Sequence, residues 1–388
     1  MSFEHAYRIE SFVTRLRRTP WGLKLQEKLF ERQLPLLRPV YRAAFCRYKE
    51  CSEKKPLSQI KKEMSLCKKY WGCHPTHYLL YDLYRADQKL SEGQLINYIP
   101  HYFFLVLFWE YHNSAKKDVL VNDKLIEEQY FRSLGIAQPV TLCKLINRRL
   151  YTNELKPTSF AAVNQAVAEG KFRKIFIKPR QEHCARGIYI LNKTACGRYV
   201  SKNNESWGES LLQKIAANND YIIQPGLDQV EAFSKIYPHS VNTLRIVTEN
   251  KGGDVRIVCA LLRMGRGGEQ VDNAGQGGIF VRVDLETGAV AEQARSLTCG
   301  YFRAHPDTGF IFTGFTVAEW RKIKEFVLAA AEKTVDFPYL GWDVAVTKDA
   351  IVALEALTAF SIELCQIACG GMRELLGIED IRPYWKNR

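Results

Sequence analysis

The chain changes character after Gly170. Upstream, from about 4 to 112, apolar residues recur at mixed three- and four-residue spacing, as in Ile9, Phe12, Val13 and Leu16, the pattern of amphipathic helices. Pro20, Pro35, Pro39, Pro56 and Pro75 cut this block into several short helices, because proline ends or kinks a helix. Downstream, 174–179, 187–191, 221–224, 244–248, 255–262 and 280–284 are short apolar runs bounded by turn residues, and read as strands. The fourth and fifth form a hairpin across Asn250-Lys251-Gly252-Gly253. Between the blocks, Asn122-Asp123-Lys124 opens a helix through Phe131, and Gly135 suits the left-handed position after its end. A second helix is expected over 317–334, with Trp320, Ile323, Val327 and Ala330 on one face. The fold class is therefore α+β.

The last two strands carry the chemistry. Segments 342–347 and 351–355 flank the polar break Lys348-Asp349 and read as a hairpin. A three-residue loop sets Asp343 directly opposite Glu355 on one face, whereas a two-residue loop puts them on opposite faces. Facing carboxylates raise each other's pKa unless a cation lies between them, and such oxygen ligands suit magnesium carried with substrate phosphates. The plain alternative is an edge hairpin with two solvated acids.

At 388 residues and 44.6 kDa the chain exceeds one ordinary core. Its 46% hydrophobic and 25% charged content is that of a folded soluble protein. The longest apolar run, from Tyr102 to Trp109, is far short of the roughly 20 residues of a spanning helix. No signal pattern opens the sequence, so a cytoplasmic location is expected. Eleven cysteines without C-x-x-C spacing read as reduced thiols. A net charge of +13 favours polyanionic partners, whether nucleotides, anionic lipid surfaces or nucleic acid. Basic clusters at Arg15 to Arg18, Lys54-Lys55, Lys61-Lys62 and Lys68-Lys69 are either solvated helix faces or a binding surface.

Lys178 ends a strand before Pro179 and a polar loop, where an ammonium reaches phosphates lying over a sheet. The loop from Arg180 to Gly187 holds a single glycine, few for a phosphate cradle. Gln224 precedes the turn Pro225-Gly226, whose backbone suits a purine edge, and Asp228 or Glu231 either takes ribose hydroxyls or lies in a solvated loop. From Arg263 to Gly278, six glycines in sixteen residues and two arginines form either an anion or oxyanion site or a plain flexible loop.

Taken in order, Asp123-Lys124, Gly135-Ile136 with Pro139, Ile177-Lys178-Pro179 with Gly187-Ile188, Ile223-Gln224-Pro225, Thr243-Leu244-Arg245, Asp272-Asn273 with Gly277-Gly278, Gly341-Trp342-Asp343 and Leu354-Glu355 resemble the ATP-grasp superfamily. The likeness is greatest to its sugar-transfer-associated branch and spans about 78–376. It implies an ATP-grasp fold with a helical N-terminal domain (1–115), a small lid domain with a preceding helix (116–230) and a large C-terminal domain (231–388). It further implies that Lys124 and Lys178 hold the ATP phosphates, and that Gln224, Pro225, Gly226 and Leu227 meet adenine. Asp228 or Glu231 would take the ribose, and Asp343 and Glu355 Mg2+. Arg245 and Arg263 would contact the γ-phosphate or an acyl phosphate, with Asn273 nearby.

The implied activity is an ATP-dependent carboxylate-amine or carboxylate-nucleophile ligase, acting on a small-molecule carboxylate with an amine or sugar-linked substrate in cell-surface polysaccharide assembly. No nucleic-acid partner is expected; peripheral contact with an anionic surface is. Where the family has a metal-binding Asn, this chain has Leu357, which cannot ligate a metal unless Thr358, Ser361 or Glu363 stands in. That departure keeps two alternatives open, a phosphotransferase and a non-catalytic nucleotide-binding module. Ala350 also stands where the family has glycine, at a cost of roughly 1 kcal/mol if that position is left-handed.

Overall fold

The computed structural model describes residues 39–182, 187–217, 219–297 and 300–386. The cluster from Arg15 to Arg18, the first part of the expected helical block and residues 183–186 of the loop after Lys178 lie outside them. The chain forms two compact units, one from 1–114, 295–301 and 359–388, the other from 115–294 and 302–358.

In the first unit the helices Pro39–Glu50, Leu57–Trp71, His77–Leu80 and Glu92–Ile96 enclose a core that includes Tyr41, Ile60, Tyr78 and Leu83. The apolar run seen in the sequence winds as a π-helix, Phe103–Phe108, with Phe104 packed edge-on against Phe360. Of the basic clusters, Lys61, Lys62, Lys68 and Lys69 are exposed along one helix. Lys55 is instead buried in an ion pair with Glu63 at 2.9 Å, and Glu63 also accepts from Tyr78. The expected partition placed everything after 231 in one domain, but 359–388 belongs to this helical unit. The side chain of Gln366 explains the return: it accepts from the Ile99 N–H at 2.7 Å and donates to the Ile99 carbonyl at 3.0 Å. Such pairing over 267 residues leaves no local trace in sequence.

The second unit holds the strands β1 (Cys143–Ile146), β2 (Arg149–Tyr151), β3 (Lys174–Pro179), β4 (Tyr189–Lys193), β5 (Tyr199–Val200), β6 (Tyr221–Pro225), β7 (Thr243–Lys251), β8 (Asp254–Met264) and β9 (Ile279–Val283). Short β10 (Ala294–Ser296) and β11 (Tyr301–Phe302) flank the excursion into the helical unit, and β12 (Tyr339–Val346) and β13 (Ile351–Leu357) close the series.

Six strands form an antiparallel sheet in the order β2-β1-β6-β3-β4-β5. Ile175, Ile177, Leu191 and Ile223 cover one face together with Val163, Val167, Leu211 and Leu212 from two helices. By the two-residue period of a strand, Lys174, Phe176 and Lys178 of β3 point to the other face.

Five strands of the seven-stranded second sheet run β9-β8-β7-β12-β13, again antiparallel. Leu244, Ile246, Trp342 and Val344 pack on the helices Lys124–Ser133 and Trp320–Lys333, and Phe131 stacks on Trp342 with ring centroids 5.6 Å apart. Asp123 caps the first of these helices, its carboxylate accepting from the N–H groups of Leu125 and Ile126, and Gly135 takes the expected left-handed φ of 65°.

The closing hairpin reaches its arrangement by a route the sequence did not indicate. Strands β12 and β13 are joined by four residues, 347–350, closed by a Thr347 N–H to Ala350 O bond of 2.9 Å. Continued unbroken from Val346↔Ile351, that register would set Asp343 against Leu354. A β-bulge shifts it, so that Val344 pairs with Ala353 while Asp343 pairs with Glu355. Ala353 and Ala356, three apart, consequently both reach the core. An odd-length loop is therefore not what aligns the carboxylates. Ala350 is not among the positive-φ residues, so no left-handed cost arises there.

Candidate active site

Across the sheet face opposite the core, Arg245 on β7, Asp343 on β12 and Glu355 on β13 stand in one cross-strand row. Both Asp343 oxygens are engaged: Arg245 donates from Nε at 2.5 Å and from Nη2 at 3.0 Å, and Arg263 from Nη1 at 2.7 Å. Arg263 also donates from Nη2 to Asp272 at 2.9 Å, and Asp272 accepts from the Thr243 N–H and hydroxyl. Two arginines and two aspartates thus form a buried network with its charges balanced. Burial raises the pKa of Asp343, but Arg245 and Arg263 outweigh it and hold the group well below the usual carboxylate range. Glu355 moves the other way, pushed up by burial and then by the Asp343 carboxylate, with Lys124 and Arg245 opposing.

Glu127 was missed in the sequence. It is buried on the helix Lys124–Ser133 and accepts the Ala356 N–H at 2.6 Å, beside the backbone of Glu355. Burial and then Glu355 push its pKa well above the ordinary range. The one available signal was its spacing of three from Lys124, which puts both on one side of the helix.

Lys178 is half-buried on the uncovered face of β3. Burial lowers its pKa to about 8, with Lys124 adding to the effect and Glu355 and Glu127 opposing it. Lys124 itself donates to the carbonyl of Glu182 at 2.7 Å. Lys124, Glu355 and Glu127 thus all act on Lys178, and Glu355 acts on Glu127.

A cavity of about 400 Å³ is lined by Lys174, Phe176, Gly226, Leu227, Asp228 and Glu231, with Lys348 from the β12–β13 loop. The Lys178 ammonium is 5.9 Å from the centroid of the Phe176 ring, which lines the cavity. Gly226 is required by close approach: a Cβ there would come within 2.8 Å of the Lys174 Cβ, while the Gly226 N–H donates to the Lys174 carbonyl at 2.8 Å. The Gln224 side chain is buried and donates to Thr141 at 3.3 Å, part of a chain through Glu128 to the fully buried Lys144. Pro225 ends β6 beside it. Asp228 and Glu231 are exposed and pair at the rim with Arg173 and Lys235, at 4.0 and 2.9 Å.

In the glycine-rich stretch, Asn273 caps a short 3-10 turn and accepts from the Gly275 N–H at 2.7 Å. The amides of Gly267, Gly277 and Gly278 also have protein acceptors, in Asp307, Ala274 and Asn273. The N–H groups of Gly275, Gly277 and Gly278 thus close the turn itself, while that of Gly267 reaches Asp307.

Leu357 ends β13 half-buried. The Thr358 hydroxyl donates to Asp118, and Glu363, in the helical unit, pairs with His101. Among the described residues no group of three or more His, Cys, Asp or Glu is arranged to hold a metal. All nine described cysteines are free thiols, and no described helix is long and apolar enough to cross a membrane.

No curated protein sequence matches the chain. Among solved structures it is similar to D-alanyl-alanine synthetase A from Vibrio cholerae, at 11% identity and a TM-score of 0.37 over 69% of this chain and 63% of that one. It is similar at 14% identity and a TM-score of 0.36 to the ATP-grasp ligase PsnB in complex with a precursor peptide and AMPPNP, over 73% and 65%. An N5-carboxyaminoimidazole synthetase from Staphylococcus aureus with ADP matches at 9% identity and a TM-score of 0.35, over 62% and 45%. The chain thus spans less than two thirds of the length of each of these three. The sugar-transfer associated ATP-grasp family matches residues 107–376. With that match covering well over half of its length, the chain belongs to the sugar-transfer associated ATP-grasp family.

Proposed function

We propose that the protein is an ATP-dependent ligase that activates a small-molecule carboxylate as an acyl phosphate and passes the acyl group to an amine or another nucleophile. The observation that carries this reading is the position of Lys178, whose ammonium adjoins both the Phe176-lined cavity and the carboxylates of Glu355 and Glu127. Adenine and ribose fit the cavity, against Phe176 and the turn through Gly226 and Leu227, with Asp228 or Glu231 at its rim. The phosphates then lie toward Lys178 and Lys124. A lysine already depressed by burial regains its full charge beside an incoming polyanion, so binding and charge recovery favour each other.

The donor set also fits a cation. Glu355 is half-buried beside a second carboxylate, and burial first and the Asp343 charge second raise its pKa. Magnesium carried with ATP would be held by Asp343 and Glu355, and would neutralise charge on the transferring phosphoryl group. Arg245 and Arg263 hold Asp343 in place and keep positive charge in the same row, where charge accumulates during transfer. The two sheets of the second unit would grasp the nucleotide between them. A role in cell-surface polysaccharide assembly belongs to the same proposal and rests on family likeness alone, and a cytoplasmic location rests on the sequence expectation above.

Incubating the full chain with ATP, magnesium, a panel of carboxylates and hydroxylamine tests the reading. Hydroxamate formed in proportion to ADP supports it. ADP released with a stable phosphorylated product selects a phosphotransferase, and ATP binding without turnover selects a non-catalytic module.

A further inference from the structure

The helical unit contains a second cavity, of about 410 Å³, that the ligase reading does not use. Its polar centre is built from four side chains. Asp82 accepts from Arg47 Nε at 3.2 Å and from the Tyr84 hydroxyl at 3.2 Å, and its other oxygen lies 3.9 Å from Arg295 Nη2, beyond hydrogen-bond reach. The Arg295 guanidinium lies over the Tyr301 ring, 3.8 Å from its centroid. Its Nε is buried and, among the described residues, has no hydrogen-bond partner. Leu80, Ile367 and Leu297 supply apolar wall, while Glu50, Glu53 and Arg85 also line the cavity, Arg85 held by Asp87 at 2.9 Å.

Two features identify the ligand. Arg47 and Arg295 against Asp82 leave one positive charge at the centre, which a single negative charge balances. A buried guanidinium donor without an acceptor is costly, and burial already lowers the Arg295 pKa. The stacked ring covers one guanidinium face, and the Nη edge, whose Nη2 stands 3.9 Å from Asp82, matches the two coplanar oxygens of a carboxylate. A cavity of this size accepts a small organic acid.

We propose that this cavity is a binding site for a small monocarboxylate, held by Arg295 with Arg47 and flanked by Tyr301 and Leu80. The site lies within the helical unit and is independent of the assignment of ATP to the other unit.

Calorimetric titration of the full chain with benzoate and gluconate, against benzamide and glucose as neutral counterparts, tests it. At least one acid binds while its neutral counterpart does not, and Arg295→Gln weakens that binding at least tenfold with the far-UV spectrum and ATP affinity retained. Asp82→Asn removes the competing carboxylate, and asparagine tolerates the φ of 55° at this position, so this variant binds the acid several-fold more tightly. The proposal is overturned if neither acid binds, if each neutral counterpart binds as well as its acid, or if inorganic phosphate binds more tightly than both acids. Folded Arg295→Gln with unchanged affinity overturns it too. Should Arg295→Gln fail to fold, unchanged or weaker binding by Asp82→Asn does the same.

Discussion

Asp343 and Glu355 face each other on adjacent strands, yet their surroundings differ in kind. On the Asp343 side, Arg245, Arg263 and Asp272 complete a buried network in which each charge is answered by another at hydrogen-bond distance. On the Glu355 side, Glu127, Lys178 and Lys124 share a neighbourhood without that mutual satisfaction, and their pKa shifts record it: Glu355 and Glu127 rise and Lys178 falls. In the first arrangement each charge is answered within the protein. In the second, like charges crowd one another and a lysine is depressed by burial, which is the condition expected of a binding site.

The difference is exposed most strongly by removing Asp343. Asp343→Ala leaves two buried guanidiniums short of their acceptor and is expected to cost about 3–5 kcal/mol in denaturant unfolding. Glu355→Gln, one strand away, is expected to leave stability unchanged or slightly higher, because it relieves a half-buried carboxylate beside another. Equal destabilisation by the two substitutions would erase the contrast.

Lys178→Ala should weaken ATP binding at least about tenfold, through loss of a charge-assisted contact of roughly 1.5–3 kcal/mol. It should not lower the stability of the apo protein. An unchanged ATP dissociation constant in the folded variant would remove ATP from this face of β3.

A smaller effect follows from pH. With the Lys178 pKa depressed to about 8, the unfolded chain holds more protons between pH 8 and the ordinary lysine value of about 10.4. The cost of burying this cation is therefore fully present below pH 8, and stability rises relative to Lys178→Met as pH climbs through that window. ATP affinity moves the opposite way, falling above pH 8 as the ammonium is lost. Lys178→Arg, which keeps its charge, should flatten the affinity profile between pH 7 and 9; a wild-type profile that is already flat contradicts the assignment.

The smallest effect is predicted at the hairpin tip. Because Ala350 is not in the left-handed region, Ala350→Gly should destabilise by about 0.4–1 kcal/mol through added freedom in the unfolded chain. A gain in thermal stability would show that the position is strained after all.

Much of this arrangement was legible in the chain itself. The strand periods of β3, β7 and β12 separate Ile177 from Lys178, Leu244 from Arg245 and Trp342 from Asp343, so local pattern alone assigns one residue to the core and its neighbour to the working face. Asp123 and Gly135 likewise announce the two ends of a helix, because capping is chemistry within a few residues of the backbone it satisfies. What the sequence could not supply was anything that depends on who sits opposite. The bulge that brings Glu355 to Asp343 across a four-residue loop is set by both strands together, since Ala353 and Ala356 must both reach the core. The pairing of Arg245 and Arg263 with Asp343, the approach of Glu127 to Ala356 and the bonds between Gln366 and Ile99 join residues 80 to 267 positions apart. Charge state follows the same division. The sequence determined which side chains can ionise, and only the tertiary structure, by burying some beside like charges and others beside opposite ones, decided which of them hold their protons.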